Sequence, residues 1–230
     1  MGAQITGIGT NVLTIEGAST LRGAEHRVVS DHTEAGSFIA LAAATRGQVT
    51  VTGVDPRHYE MTELVFRTLG IELEFGADSI TLPAEQSGRI QPDPRGGIPD
   101  IDTGLWPQFP SDLMSVTIVM ATQLNGTVLF FEKLYESRMY FVDRLIAMGA
   151  NAVICDPHRV VVTGPAKLQG IQLSSPDIRA GIALVGAALC ASGTSIIRNI
   201  RLIDRGYEKI EEKLRTLGAR IERLNMVSDE

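Results

Sequence analysis

The sequence predicts a mixed helix-and-strand fold of the α+β class, in which one βαβαββ-type unit is repeated three times. Two observations lead to this prediction: a repeated order of residues, and a helical spacing of apolar side chains inside each repeat. The repeated order is aspartate, apolar helix, glycine, strand, second helix and glycine, and it runs over residues 31–70, 112–149 and 177–218. Repetition over the whole chain decides the architecture more strongly than any short motif.

Three units that share one core indicate a single domain. We expect this domain to cover all 230 residues, with repeats at about 24–86, 87–169 and 170–224. The segment 87–103 is rich in proline and glycine and is the expected loop between the first and second units.

The first helix of each unit is predicted from apolar residues at the i, i+3, i+4, i+7 spacing. These positions hold Ala35, Phe38, Ile39 and Ala42 in unit one, Val116, Val119 and Met120 with Gln123 in unit two, and Ile178, Ile182, Val185 and Leu189 in unit three. An aspartate precedes each run, at Asp31, Asp112 and Asp177, and equivalent positions of this kind are typical of helix N-caps.

Glycines and β-rich runs predict the rest of each unit. A glycine ends each first helix, and a strand follows over residues 48–52, 127–131 and 194–198. Each second helix ends at a glycine that suits a left-handed C-cap, namely Gly70, Gly149 or Gly218. In units one and two a hairpin follows, over residues 71–82 and 150–163, because turn residues separate two alternating runs.

The third unit lacks one hairpin strand, since residues 219–224 supply a first strand and the chain then continues in polar residues. Residues 10–23 resemble residues 159–170, and both segments place two glycines six residues apart. We therefore expect residues 10–23 to contain a strand that either completes the third repeat by pairing with residues 219–224 or is an orphan left by the removal of upstream sequence.

Composition favours chemistry on a small molecule. The net charge of −6 argues against a nucleic-acid binder, which needs surplus basic residues. The longest apolar run, residues 182–191, is too short to span a bilayer, and the first residues lack the regions of a signal peptide. Cys155 and Cys190 form no metal-binding or disulfide pattern, and the histidines show no metal-ligand spacing. A cytoplasmic protein without a metal site is expected.

Three arginines are the strongest candidates for holding a ligand. Arg138 and Arg205 are predicted to open the second helices of units two and three, and Arg179 lies just inside the first helix of unit three. An arginine is unfavourable at the positive end of a helix but well placed there to hold an anion. Because arginine grips carboxylate or phosphate with two parallel hydrogen bonds, three of them suit a doubly anionic substrate. The alternative is that each only pairs with a nearby acid such as Glu136, Asp177 or Asp204.

Asp112 differs from the other two aspartates in its surroundings. Residues 106–110 contain two aromatic side chains and two prolines, which fix the approach of the chain to the helix. A carboxylate on such a rigid approach can accept a proton from a substrate hydroxyl when its pKa suits. Asp112 is therefore a candidate general base as well as a candidate N-cap.

Four short motifs resemble the UDP-N-acetylglucosamine 1-carboxyvinyltransferase family, the enolpyruvyl transferases that start peptidoglycan precursor synthesis. The motifs are Phe109-Pro110-Ser111-Asp112, Glu136-Ser137-Arg138, Pro176-Asp177-Ile178-Arg179 and Ile203-Asp204-Arg205-Gly206-Tyr207-Glu208. The resemblance runs from about residue 5 to residue 224 and covers the C-terminal domain portion of that family. It implies an inside-out α/β prism, with helices inside and sheets outside, which faces a second domain across the active-site cleft.

The resemblance also implies a reaction, namely transfer of the enolpyruvyl group from phosphoenolpyruvate to the 3-hydroxyl of UDP-N-acetylglucosamine, without a cofactor. Asp112 would be the base that contacts this hydroxyl, and Asp177 would assist proton movement. The backbone around Leu134 would meet the sugar nucleotide. The implied phosphoenolpyruvate ligands are Arg138, Arg179 and Arg205.

The N-terminal domain of the family, which carries its catalytic cysteine, is missing from this chain. The isolated chain is therefore expected to be inactive, and its exposed cleft favours self-association. Two other interpretations stay open. One is 5-enolpyruvylshikimate-3-phosphate synthase, which shares the fold and the chemistry, although residues 136–138 and 205–208 depart from its pattern. The other is a non-catalytic half protein that binds ligands or acts as a scaffold.

Overall fold

A computed structural model describes residues 1–224 of the protein, in which helices and strands alternate as the repeats predict. The α-helices, in chain order, are α1 (His32–Ala44), α2 (Glu60–Thr68), α3 (Ser111–Ala121), α4 (Val142–Ala147), α5 (Ile178–Cys190), α6 (Arg201–Asp204) and α7 (Ile210–Thr216). Short 3-10 helices at Pro56–Tyr59 and Arg138–Phe141 lead directly into α2 and α4. In this described part of the chain, no helix combines the length and the apolar character needed to cross a membrane.

The strands form four small sheets. In chain order they are β1 (Gln4–Thr6), β2 (Thr14–Glu16), β3 (Val49–Thr52), β4 (Glu74–Phe75), β5 (Ser79–Leu82), β6 (Asp100–Asp102), β7 (Gly126–Phe131), β8 (Asn151–Ile154), β9 (Arg159–Gly164), β10 (Gln172–Ser174) and β11 (Ile196–Arg198). Unit one has the order β3-β5-β4, unit two β6-β7-β9-β8 and unit three β10-β11. The two predicted hairpins are confirmed as the antiparallel pairs β4–β5 and β8–β9.

The first helices of the three units, α1, α3 and α5, pack against one another in the core. Ile39 of α1, Met120 of α3 and Leu184 of α5 are each 0% exposed. The α1 and α3 helices approach closely, since a Cβ atom added to Gly36 would lie 2.8 Å from Cδ1 of Leu113. Burial of these apolar faces, at about 25 cal/mol per Å², is the main source of stability.

The sheet of unit two packs on this helical core. In β9, Val160 and Val162 are buried whereas Val161 is half-buried, so alternate side chains of this strand face the core. The α3 helix contacts both β7 and β9 from the inner side. The coarse α+β class is therefore confirmed.

Two of the three predicted N-caps are confirmed. The Oδ1 atoms of Asp31 and Asp177 each accept hydrogen bonds from two backbone N–H groups of the following turn, at 2.7–3.2 Å. The prediction is wrong for Asp112, because Pro110 is the N-cap of α3 and Asp112 lies within the first turn. Relative to its aspartate, α3 starts two residues earlier than α1 and α5 do, and this leaves the Asp112 side chain free for other partners.

The position predicted for Arg205 is also wrong. Arg205 is the C-cap residue of α6, and α7 begins only at Ile210. Lys209 has a φ of 47°, a left-handed conformation that interrupts the helical path between α6 and α7. The positions of the other two arginines are confirmed, since Arg138 opens its 3-10 helix and Arg179 is the second residue of α5.

The N-terminal strand does not close the third repeat. Strand β2 pairs with β1, with Ile15 opposite Ile5, and residues 219–224 form no strand. The entropic cost of closing a loop of n residues grows as about (3/2)RT ln n. Pairing of β2 with the nearby β1 therefore costs less chain entropy than pairing with residues 219–224 would. The hydroxyl of Thr10 fastens this loop by donating to the Gly7 and Val12 carbonyls. The first of the two alternatives for residues 10–23 is therefore wrong.

Candidate anion-binding site

A cleft of about 600 Å³ lies where the beginnings of α3 and α5 meet the segment before α4. Its lining includes five of the six residues that the sequence singles out: Asp112, Arg138, Asp177, Arg179 and Arg205. The sixth, Leu134, lies just before the lining residue Tyr135 and is itself outside the lining. The structure thus gathers the predicted polar residues in one place.

Asp112 is the centre of this group, because two arginines from different units converge on its carboxylate. Arg138 Nη1 donates to Asp112 Oδ1 at 3.1 Å, and Arg179 Nη2 donates to Oδ2 at 2.6 Å. The prediction that the arginines pair only with acids close to them in sequence is wrong for these two side chains. Asp112 lies 26 residues from Arg138 and 67 from Arg179.

The arginines determine the charge of Asp112. Burial raises the pKa of the Asp112 carboxyl, but the charges and hydrogen bonds of Arg179 and Arg138 outweigh burial and hold the pKa below its ordinary value. For Arg179, burial lowers the pKa of the guanidinium, and Asp112 and Tyr207 more than restore it. Asp112 is consequently an ionised counter-ion of the arginines at neutral pH.

Arg138 is held from two further sides. Its Nη1 atom also donates to Ser111 Oγ at 2.8 Å, and its guanidinium lies 4.4 Å from the ring centroid of Tyr135. Ser137, directly before it, has a φ of 64°, and this left-handed residue turns the chain into the 3-10 helix. A stacked guanidinium with two hydrogen bonds has little freedom to leave the cleft.

Arg179 is held by a tyrosine of the same unit. Its Nη1 atom donates a long hydrogen bond to Tyr207 Oη at 3.4 Å, and Tyr207 Oη lies 2.8 Å from Ser37 Oγ of α1. Burial raises the pKa of the Tyr207 phenol, although its hydrogen bond with Ser37 and the nearby Arg179 oppose this shift. A neutral phenol therefore connects the arginine to unit one.

Arg205 is exposed at the cleft. Within residues 1–224 its side chain forms neither a hydrogen bond nor an ion pair, and the neighbouring Asp204 pairs with Arg223 at 2.7 Å. Arg205 can consequently turn toward a ligand without breaking an existing contact.

Asp177 lines the cleft through the same carboxylate that caps α5. Both of its backbone hydrogen bonds, from Arg179 and Ala180, go to Oδ1. In the described part of the chain, its Oδ2 atom accepts no hydrogen bond. One oxygen therefore serves the helix, and the other is available to a ligand or a proton.

Sequence reasoning missed Glu132, which is 0% exposed at the end of β7. Its carboxylate accepts hydrogen bonds from Ser111 Oγ at 2.6 Å and from the backbone of Leu134 at 2.9 Å. The available signal was an acidic residue directly after an apolar strand, but burial cannot be deduced from that position alone. Tyr207 and Ser111 lie within the motifs that carry the family resemblance, yet nothing in their spacing indicates their contacts.

Trp106 lies on the approach to α3. It is 61% exposed, and its ring meets the rings of His32 and His58 edge-to-face, each at a centroid distance of 5.9 Å. Both histidines belong to unit one, so this aromatic cluster joins units one and two. In the part of the chain that the structure describes, no group of three or more histidine, cysteine or acidic residues could hold a metal ion.

The fold and the cleft together define a class: a repeat-built α+β protein with an arginine-lined cleft suited to a small anionic substrate. A family model described as EPSP synthase (3-phosphoshikimate 1-carboxyvinyltransferase) matches residues 1–214, and the chain belongs to this family. Together with the curated relatives described next, this match confirms the resemblance found in the sequence motifs.

Curated relatives carry a more specific name. The UDP-N-acetylglucosamine 1-carboxyvinyltransferase of Treponema denticola is 52% identical over 222 residues, which are 96% of this chain and 52% of the relative. The protein of the same name from Bradyrhizobium diazoefficiens is 49% identical over 224 residues, covering 97% of this chain and 52% of the relative. The chain thus spans about half the length of the curated relatives it matches.

Solved structures support the fold. The enolpyruvyl transferase NikO from Streptomyces tendae superposes with a TM-score of 0.81 at 24% identity, over 96% of this chain and 51% of that one. EPSP synthase from Acinetobacter baumannii superposes with a TM-score of 0.71 at 18% identity, over 97% of this chain and 53% of that one.

Proposed function

We propose that this chain supplies one of two domains of an enolpyruvyl transferase that acts on phosphoenolpyruvate and UDP-N-acetylglucosamine. The observation that carries the proposal is the convergence of Arg138 and Arg179 on Asp112, since it places two anion-binding groups beside one carboxylate. The names of the two curated relatives support the choice of sugar nucleotide. The remaining half of the relatives would complete the cleft.

In the proposed reaction, the 3-hydroxyl oxygen of the sugar forms a bond to C2 of phosphoenolpyruvate while a proton adds to C3. The product is a tetrahedral intermediate. Inorganic phosphate then leaves C2 and a proton leaves C3, so that the double bond is restored. The chemistry needs no cofactor, but it needs the substrate anion held firmly and a group that accepts the hydroxyl proton.

Arg138, Arg179 and Arg205 would hold the carboxylate and phosphate of phosphoenolpyruvate. Before the substrate binds, Asp112 forms an ion pair with both Arg138 and Arg179. The incoming anion would draw both guanidinium groups toward itself, and the Asp112 carboxylate would lose part of their stabilisation. Its pKa would then rise, and Asp112 would become a better base for the 3-hydroxyl when the substrate is in place.

Asp177 would assist proton movement through the oxygen that the helix cap leaves unused. Leu134 would meet the sugar nucleotide through its carbonyl oxygen and its side chain, which is 40% exposed. Its backbone N–H is already committed to Glu132 at 2.9 Å.

We also propose the finer architecture that the resemblance implies, an inside-out prism with the three units as its faces. The burial of α1, α3 and α5 supports it. A cytoplasmic setting and a place in peptidoglycan precursor synthesis follow from the same resemblance. The exposed cleft would favour self-association of the isolated chain, and a strictly monomeric mass in light scattering would contradict this.

The decisive experiment measures phosphate release from phosphoenolpyruvate with UDP-N-acetylglucosamine. The chain is assayed alone and together with the separately made N-terminal half of the Treponema denticola relative. We expect release only when both halves are present, and loss of release in Asp112→Asn. Release by the chain alone, or none from a correctly assembled pair, would contradict the proposal.

The family model's description gives a second candidate, because it names 3-phosphoshikimate as the acceptor. The same assay with shikimate 3-phosphate in place of the sugar nucleotide separates the two. A pair of halves that is active only with shikimate 3-phosphate would favour this second candidate. Binding of phosphoenolpyruvate without release in either assay would favour a binding module.

A further inference from the structure

Glu132 is a fully buried acid whose carboxylate accepts four hydrogen bonds. Its carboxylate accepts from Thr103 Oγ1 at 3.0 Å, Ser111 Oγ at 2.6 Å, Leu134 N at 2.9 Å and Tyr135 N at 3.3 Å. Within residues 1–224 it forms no ion pair. Burying a carboxylate is costly unless hydrogen bonds compensate, and the four donors supply that compensation. What requires an explanation is why an acid is buried at this position at all.

The first connection from Glu132 to the cleft runs through Ser111. A serine hydroxyl has one hydrogen, and here Ser111 gives it to Glu132 Oε2 at 2.6 Å. The lone pairs of Ser111 Oγ are then free to accept from Arg138 Nη1, which lies 2.8 Å away. The carboxylate therefore sets the direction of the hydroxyl, and the hydroxyl sets the direction of the guanidinium.

The second connection runs through the backbone that follows β7. Oε1 of Glu132 holds the N–H groups of Leu134 and Tyr135, which fixes the course of this segment. The Tyr135 ring lies beside the Arg138 guanidinium, 4.4 Å from the ring centroid. A stacked and hydrogen-bonded guanidinium keeps one orientation.

We propose that Glu132 is a positioning residue for anion binding, which acts through Ser111 and Tyr135 to hold the guanidinium of Arg138 facing the cleft. The proposal deepens the proposed function, because it takes Arg138 as a ligand of the substrate anion. It does not depend on which acceptor sugar or shikimate derivative is used.

The variants for the test are Glu132→Gln, Ser111→Ala and Ser111→Thr. The amide of Glu132→Gln keeps the size of the side chain but can donate to Ser111, which releases the serine hydrogen toward Arg138. Ser111→Thr keeps the hydroxyl and should restore the contact. The matched control is Thr117→Val, which removes a buried hydroxyl from the same helix α3 that donates only to the Leu113 carbonyl.

The first measurement is the affinity of the full chain for phosphoenolpyruvate by calorimetry. Loss of one hydrogen bond to a charged group should weaken binding by about fivefold or more in Ser111→Ala and Glu132→Gln. Ser111→Thr and Thr117→Val should bind like the unaltered chain. Equal weakening in Thr117→Val would show a general loosening of α3 and overturn the proposal.

A double-mutant cycle tests whether the effect passes through Arg138. In an Arg138→Ala background, Glu132→Gln should not weaken phosphoenolpyruvate binding further, because the group that it positions is gone. Equal further weakening in both backgrounds would overturn the proposal.

The second measurement needs no substrate, so it separates failure of this inference from failure of the proposed function. The Asp112 carboxyl is titrated by carbon-13 nuclear magnetic resonance in each variant. If Glu132 holds Arg138 in place, the pKa of Asp112 should rise in Ser111→Ala and Glu132→Gln and stay unchanged in Thr117→Val. An unchanged Asp112 titration in all of them would contradict the role of Glu132, even if the unaltered chain bound phosphoenolpyruvate. A chain that shows the shifts but binds no phosphoenolpyruvate, alone or with the N-terminal half, would keep the positioning role and contradict the proposed function.

Discussion

Asp112 and Asp177 stand at the same position of two consecutive repeats, yet their carboxylates have different partners. Asp177 caps α5 and accepts hydrogen bonds from two backbone N–H groups at 2.7 and 2.8 Å. Within residues 1–224, the Asp112 carboxylate accepts no backbone hydrogen bond and instead accepts hydrogen bonds from two guanidinium groups. The difference arises from the start of the helix, since α3 has Pro110 as its N-cap and α5 has Asp177 itself.

This comparison teaches how a repeat can acquire a binding site at little cost to its fold. Unit one and unit three use the aspartate to satisfy the open N–H groups of a helix. In unit two the helix begins two residues earlier relative to the aspartate, so the same residue type becomes a counter-ion for arginines. Arg179 follows the capping aspartate of unit three and reaches the free aspartate of unit two, which explains why the cleft lies between these units.

The largest expected difference between the two aspartates is in catalysis. Asp112→Asn should reduce phosphate release by the assembled halves by about 10²-fold or more, because a general base typically contributes that much. Asp31→Asn is the matched control, since it alters the same repeat position in unit one and keeps a good N-cap. An Asp112→Asn variant that retains most of its activity would show that Asp112 is not the general base.

The next effect concerns the arginines that meet at Asp112. Arg138→Lys and Arg179→Lys should each weaken phosphoenolpyruvate binding by about tenfold to a hundredfold, since lysine cannot reproduce the paired hydrogen bonds of a guanidinium. Calorimetry measures this directly. Arg67→Lys, which alters an exposed pair with Glu63, should leave the affinity unchanged. Equal affinities in all three variants would show that phosphoenolpyruvate does not bind at Arg138 and Arg179.

A smaller expected effect is on the free energy of unfolding, because the aspartates differ in whether they are N-caps. Asp177→Ala and Asp31→Ala should each lower the free energy of unfolding by about 1 kcal/mol, the usual cost of losing an N-cap. Asp177→Asn keeps a good N-cap, so it should lose less than Asp177→Ala. At position 112 no cap is lost, so Asp112→Asn and Asp112→Ala should cost about the same, because both remove the ion pairs with Arg138 and Arg179. Urea unfolding followed by circular dichroism gives the five values. An asparagine that recovers as much stability at position 112 as at position 177 would contradict the observed start of α3.

The smallest effect is the pH dependence of stability. The pKa of Asp112 in the folded protein lies below its ordinary value of 3.8. Its ionised form therefore stabilises the fold above the unfolded-state pKa, and this contribution is lost as the pH falls through the lower folded-state pKa. Asp112→Asn should make the free energy of unfolding fall less steeply on acidification below about pH 4. An identical fall of the free energy of unfolding at acidic pH in the unaltered chain and in Asp112→Asn would show that the ion pairs of Asp112 do not contribute to stability.

The sequence predicts the repeats well because apolar spacing and glycine stops act locally. The positions of α1, α3 and α5, the hairpins and the capping role of Asp31 and Asp177 follow from such local signals. The grouping of Arg138 and Arg179 also follows from the sequence, through the matched motifs of a known family.

Other features depend on contacts between distant residues, and a single sequence does not report them. Strand β2 pairs with β1, but its composition does not distinguish this partner from other strands of similar composition. The burial of Glu132 depends on Thr103 and Ser111, which reach it from other segments. The helix start at Ser111 depends on the backbone conformation of Pro110, which the composition of the motif does not fix.

Trp106 is the one tryptophan of the sequence, and its contacts with His32 and His58 give the molecule a built-in optical reporter. The indole stands six positions before Asp112 and touches unit one. Changes in the packing between the first two units, and changes at the beginning of α3 when a ligand arrives, can therefore be followed by fluorescence without an added dye.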